Sequence, residues 1–138
     1  MKEDDYCSEE CLNFLIAMIK AKMNSVICGL TGSGKTELAK YLAGHINRWE
    51  RIITIEDTLE LHLLTIYPNK DVVELQVNNI VDYDGAIKSC MRMKPTWILL
   101  SEERGYEVKE LIKSISTGAR IITTIHTDDA RDIPKRVL

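Results

Sequence analysis

The stretch "CGLTGSGKTELAK", residues 28–40, decides how the rest of the chain is read. Gly29, Gly32 and Gly34 fall within six positions, and Lys35 and Thr36 follow at once. Residues 29–36 fit the spacing G-x-x-x-x-G-K-[ST], set between a short apolar run and a helical pattern. Without a Cβ, glycine lets the backbone curl and turn several N–H groups inward. A helix starting at that concavity adds positive potential. Gly29, Thr31, Gly32, Ser33, Gly34, Lys35, Thr36 and Glu37 are therefore the candidate nucleotide-binding residues. Lys35 is suited to the β- and γ-phosphates, and the Thr36 hydroxyl to Mg²⁺. The expected ligands are ATP or GTP with magnesium.

Outward from this loop, apolar runs alternate with helical patches. Strands are expected over 25–28, 51–56, 61–67, 71–77, 97–100 and 120–125. The last of the middle pair is set off by the turn-like "PNK". Helices are expected over 11–23, 35–46, 82–93 and 105–116, with a further one beginning in "DDARDIPKRVL". Such alternation implies an α/β fold with a mostly parallel sheet and helices on both faces. The strands lack polar alternation, as strands covered on both sides do.

In such sheets ligands bind beyond the carboxyl ends of the strands. Three more strands end in polar residues there. "IITI" runs into Glu56, Asp57 and Glu60; "WILL" into Ser101, Glu102, Glu103 and Arg104; "IITTI" into His126. One carboxylate can hold Mg²⁺ through water, a second can orient the attacking water, and a histidine can bond the γ-phosphate. His45 and His62 read as structural, with His45 near a helix end that favours a partial positive charge. Phe14, Tyr41, Trp49 and Trp97 read as core or half-buried packing, and the four cysteines as reduced, packed thiols.

Composition excludes several classes. The chain has 138 residues, enough for one domain, and is 45% hydrophobic and 28% charged. Its net charge of −3 provides no general basic field for nucleic acid. No apolar run is long enough for a membrane span, and "MKEDDYCSEE" is acidic where a secretory signal is basic then apolar. A cytoplasmic protein is the expectation.

Together these stretches resemble the secretion-superfamily ATPases, the motors of type II and type IV secretion, conjugation, and type IV or Tad pili. Residues 14–46 are similar to their pre-loop helix, Walker A loop and following helix. "RIITIEDTLEL" resembles the Asp box, "CMRMKPTWILLSEERG" the Walker B region, and "STGARIITTIHTDDARD" the His box. The resemblance implies a RecA-like P-loop core over residues 1–138, ATP hydrolysis, and assembly into a ring, commonly a hexamer, against platform proteins at the inner face of the membrane. By position it makes Lys35 and Thr36 the Walker A pair, Glu102 the Walker B acid near Mg²⁺ and its waters, and Glu56 the leading Asp-box carboxylate near the attacking water. It makes Glu60 a second acid, His126 the His-box histidine, and Arg104 the arginine of Gly-Glu-x-Arg. Ser101, Glu103 and Ala119 depart from the family pattern. The expected chain is a piece lacking an amino-terminal domain and later helices, so that hydrolysis in isolation is weak. A nucleotide-binding assembly subunit with little hydrolysis is the second reading.

Overall fold

The computed structural model describes residues 6–101, 109, 111, 112 and 118–137. Five strands form one sheet: β1 (Ser25–Gly29), β2 (Ile52–Glu56), β3 (Val72–Gln76), β4 (Trp97–Ser101) and β5 (Arg120–His126). Their order across the sheet is β1-β5-β4-β2-β3, and every pairing is parallel. All carboxyl ends consequently share one edge. β2 is buried at every position, and β4 and β5 nearly so, which explains the unbroken apolar runs.

Helices cover both faces. On one side α1 (Glu9–Lys20), α2 (Lys35–Ala43) and α3 (Leu63–Ile66) supply Ile19, Leu42 and Leu63 to a core with Ile52, Trp97, Leu99 and Ile122. On the other, α4 (Tyr83–Met91) places Ala86, Ile87 and Cys90 against Ile53, Ile98, Leu100 and Ile121. Alternate residues of each strand feed opposite cores, as the pleat requires. α1 and α4 start on side-chain caps. The Ser8 hydroxyl accepts from the Cys11 N–H at 3.1 Å, and Asp82 accepts from the Gly85 N–H at 2.9 Å. A 3₁₀ turn, Ala130–Asp132, leads into α5 (Ile133–Val137), whose first turn contains Pro134.

Several expectations are corrected. Residues 61–67 are not a strand: they hold α3. β2 and β3 pair in parallel with Ile52 opposite Val72, so no tight turn can join them and the chain must return the full strand length. The short helix does so, burying Leu61 and Leu63 and leaving Leu64 and Ile66 outside. An apolar run alone does not distinguish the two cases. Trp97 is fully buried, but Trp49 is 76% and Phe14 66% exposed. The Arg48 guanidinium covers the Trp49 ring at 4.4 Å. All four cysteines are free, yet only Cys90 is buried, its thiol pushed up to about 11 by burial; Cys11 is exposed. Burial lowers the pKa of His45, and Lys20 and Lys70 lower it further, so its neutral form is favoured and not the charged one. His62 adopts a left-handed φ of 48° at the start of α3. The helix expected over 105–116 falls largely outside the described residues. Among the described residues no helix is long and apolar enough to cross a membrane.

Candidate functional site

The glycine loop joins β1 to α2 with left-handed backbone at Gly32 (φ 79°) and Gly34 (φ 86°), where a side chain would be strained. At Gly29 the constraint is space: a Cβ would lie 2.3 Å from the Ser33 hydroxyl. The Ser33 N–H closes the turn onto the Leu30 carbonyl at 3.2 Å. Unlike α1 and α4, α2 begins on a glycine and has no side-chain cap. Among the described residues no side chain caps the first N–H groups of this helix, where they and the dipole act together.

Lys35 folds back across the loop. Its ammonium donates to the Gly29 carbonyl at 2.8 Å and the Leu30 carbonyl at 2.9 Å. Both acceptors are neutral, and a charged acceptor would bind the same cation more strongly. Beside it lies a cavity of about 240 Å³ whose walls include Thr31, Gly32, Lys35, Thr36, Glu60 and His126, together with Ser101 and Thr124. Sheet register explains the gathering. Gly29 pairs with His126 across β1 and β5, and Ser101 with Thr124 across β4 and β5. His126 Nδ1 lies 3.5 Å from the Thr31 hydroxyl.

The two Asp-box acids occupy different environments. Glu60 lines the cavity, and its Oε2 lies 3.4 Å from the Thr36 hydroxyl, which donates to it. Glu56 is fully buried at the end of β2. Its Oε1 accepts from the Glu60 N–H at 3.2 Å and the Leu61 N–H at 3.1 Å, while among the described residues its Oε2 has no hydrogen-bond partner. Burial raises its pKa; the two N–H bonds oppose that, and the charges of Glu60 and Glu74 add to it. The expectation that Glu56 faces an attacking water does not match this placement. Its carboxylate is below the cavity wall and shapes the segment that presents Glu60.

Glu37, expected near the nucleotide, directs its carboxylate to Lys40 at 2.8 Å and is not among the cavity walls. Glu102 and Arg104 lie outside the described residues. Two contributors carried no signal in the sequence. Thr124 enters the wall only through strand register, and the Tyr6 ring reaches Gly34 from an acidic terminal stretch. Among the described residues no group of three His, Cys, Asp or Glu side chains could hold a metal ion. One hydroxyl and one carboxylate beside a phosphate cradle nevertheless suit Mg²⁺, which keeps several waters and takes phosphate oxygens as ligands.

Residues 2–138 match the family described as Type II/IV secretion system protein. The chain belongs to that family. The type IV secretion system protein VirB11 of Bartonella quintana is 37% identical over 136 residues, covering 91% of this chain and 36% of the relative. Among solved structures, the VirB11 ATPase of the Brucella suis type IV secretion system, in complex with sulphate, superposes with a TM-score of 0.82 at 36% identity. That match covers 93% of this chain and 37% of the other. The pilus retraction motor PilT with bound ADP gives 0.74 at 26% identity, over 99% of this chain and 40% of the other. This secretion-family chain thus spans little more than a third of the length of these relatives, and its sheet is the RecA-like α/β core they share.

Proposed function

We propose that the chain binds ATP with Mg²⁺ and forms the hydrolysing core of a secretion, conjugation or pilus motor. The observation that carries this reading is the uncapped start of α2 behind the glycine loop, with Lys35 held by two backbone carbonyls beside a polar cavity that Glu60 and His126 line. The relatives add support: one solved ATPase holds sulphate and a pilus motor holds ADP.

In this mechanism the loop N–H groups and Lys35 grip the β- and γ-phosphates, Lys35 exchanging its two carbonyls for phosphate oxygens. Thr36 and Glu60 would hold Mg²⁺, with Glu102 a further candidate acid from the sequence; the ion would supply charge neutralisation at the transferring phosphoryl group. Glu60 orients water at the cavity, and Glu56 is a positioning residue that fixes the Glu60 backbone. His126 reads the terminal phosphate from β5, and Arg104 stands near the same edge by sequence. Hydrolysis by the chain alone is weak in this reading, because phosphoryl transfer without a well-placed arginine loses about 10³-fold or more. Turnover rises in a ring, hexameric in form, whose neighbouring parts close the site at the cytoplasmic face of a membrane platform.

Titration calorimetry tests the binding claim. Lys35→Ala removes a charge-assisted contact of about 1.5–3 kcal/mol, so Mg-ATP affinity should fall roughly tenfold or more. Equal affinities in the two proteins remove the phosphate-loop reading.

A further inference from the structure

We propose that Tyr6 is the aromatic wall of the nucleotide site, meeting the nucleoside while the loop holds the phosphates. The inference rests on the phosphate-loop reading above. A Cβ built on Gly34 would lie 2.9 Å from Tyr6 Cε2 and 3.4 Å from both Cζ and the phenol oxygen. The ring therefore lies directly on the last glycine before Lys35, whose missing Cβ leaves room for it. A short tether keeps it there. Tyr6 stands two residues before Ser8, the cap of α1, and α1 packs against α2, the helix that the loop opens. The ring is nevertheless 45% exposed, so it is not a core residue.

The position matters because the loop has two approaches. The cavity at one carries Thr36, Glu60 and His126, the groups with chemistry for a terminal phosphate and its metal. Tyr6 is not among that cavity's walls. A nucleotide gripped by its phosphates, with its terminal phosphate towards these polar groups, directs its nucleoside the other way, past Gly34. An aromatic ring tethered there exchanges its contact with Gly34 for the face of the base. Stacking of this kind tolerates any base, because every base has a π-face. Tyr6 accordingly contributes affinity for nucleotide over inorganic polyphosphate, and little preference between adenine and guanine.

The test is calorimetric titration of the chain with Mg-ATP, Mg-GTP and Mg-tripolyphosphate. Tyr6→Ala should weaken ATP and GTP about tenfold each and leave tripolyphosphate unchanged, in line with the usual effect of removing one stacking ring. Tyr6→Phe keeps the ring and should stay within about twofold of wild type for all three. Unchanged ATP affinity in Tyr6→Ala overturns the proposal, as does an equal loss on tripolyphosphate. Tighter binding of all three would make the ring an obstruction and also overturns it. An equal loss in Tyr6→Phe would assign the effect to the hydroxyl and remove the stacking role. Lys35→Ala, measured in parallel, should weaken all three ligands. If it weakens none, the phosphate-loop reading fails; if it does and Tyr6→Ala is silent, the role of Tyr6 alone fails.

Discussion

The two edges of the sheet are bonded differently. At the amino ends of the strands, polar groups find strong partners. Glu50 accepts from Lys22 at 3.0 Å and from the buried Trp97 indole at 2.9 Å. Arg51 donates to Asp71 at 2.9 Å and to the Met93 carbonyl at 2.7 Å. Asn24 accepts from the Ile121 N–H at 3.0 Å, and Lys70 donates to the Ile46 carbonyl. At the carboxyl ends Lys35 is held closely by two loop carbonyls, but the contacts between side chains that line the cavity are long. Thr36 and Glu60 are 3.4 Å apart and Thr31 and His126 3.5 Å, and among the described residues Glu56 Oε2 has no hydrogen-bond partner. A well-satisfied edge contributes stability. Long contacts in a cavity contribute less and leave Thr31, Thr36, Glu60 and His126 available to a ligand, as the proposed function requires.

Substitutions should therefore separate the edges by readout. The largest effect is expected at Glu60. Glu60→Gln keeps shape and removes the charge beside Thr36, so phosphate release at saturating Mg-ATP should fall by about 10²-fold, the lower range for a group acting on the reacting water. Nucleotide affinity should change little. Unaltered turnover would shift the catalytic acid to Glu102 and remove the distinction drawn between Glu60 and its surroundings.

At the opposite edge the readout is stability. Glu50→Ala leaves the buried Trp97 N–H without an acceptor, at a cost of about 1–3 kcal/mol. Denaturant unfolding should show that loss while calorimetry shows Mg-ATP affinity unchanged. A loss of affinity with intact stability would erase the contrast between the edges.

The smallest effect has the opposite sign. Glu56→Gln gives the empty Oε2 position an amide donor in place of a buried charge, while its oxygen still accepts from Glu60 and Leu61. Stability at pH 7 should rise by about 1 kcal/mol. Because the folded pKa of Glu56 is raised, the wild-type carboxyl contributes its full stability below the unfolded value of 4.5. That contribution is lost as pH rises through the folded value. The variant's advantage, measured by urea midpoints, should therefore be small near pH 4 and grow towards pH 7. An advantage independent of pH would mean that burial does not penalise the charged form.

How much of this could be read from residue order follows from the range of the forces involved. The glycine loop was readable because its requirements are local: left-handed φ at Gly32 and Gly34, and no room for a Cβ at Gly29. The parallel sheet was readable because strands buried on both faces must be apolar throughout. Residues 61–67 were not, since their helix answers to the separation of two strand ends and not to their own pattern. Trp49 was misread for a related reason: a neighbouring arginine covers it, so the core need not.

By itself the sequence determined the glycine loop, the α/β architecture and the placing of Glu56, Glu60 and His126 towards one edge, because strand direction carries them there. Tertiary structure decided how each acid is placed. Glu56 and Glu60 are four residues apart, yet one is sealed under the edge and the other faces the cavity beside Thr36. It also brought Tyr6 onto Gly34 across 28 residues of chain, from a stretch whose composition suggests only a solvated end. Spacing and backbone sterics act over a few residues and are written in order. Desolvation and approach depend on what distant elements place around a side chain, and only the assembled fold supplies those neighbours.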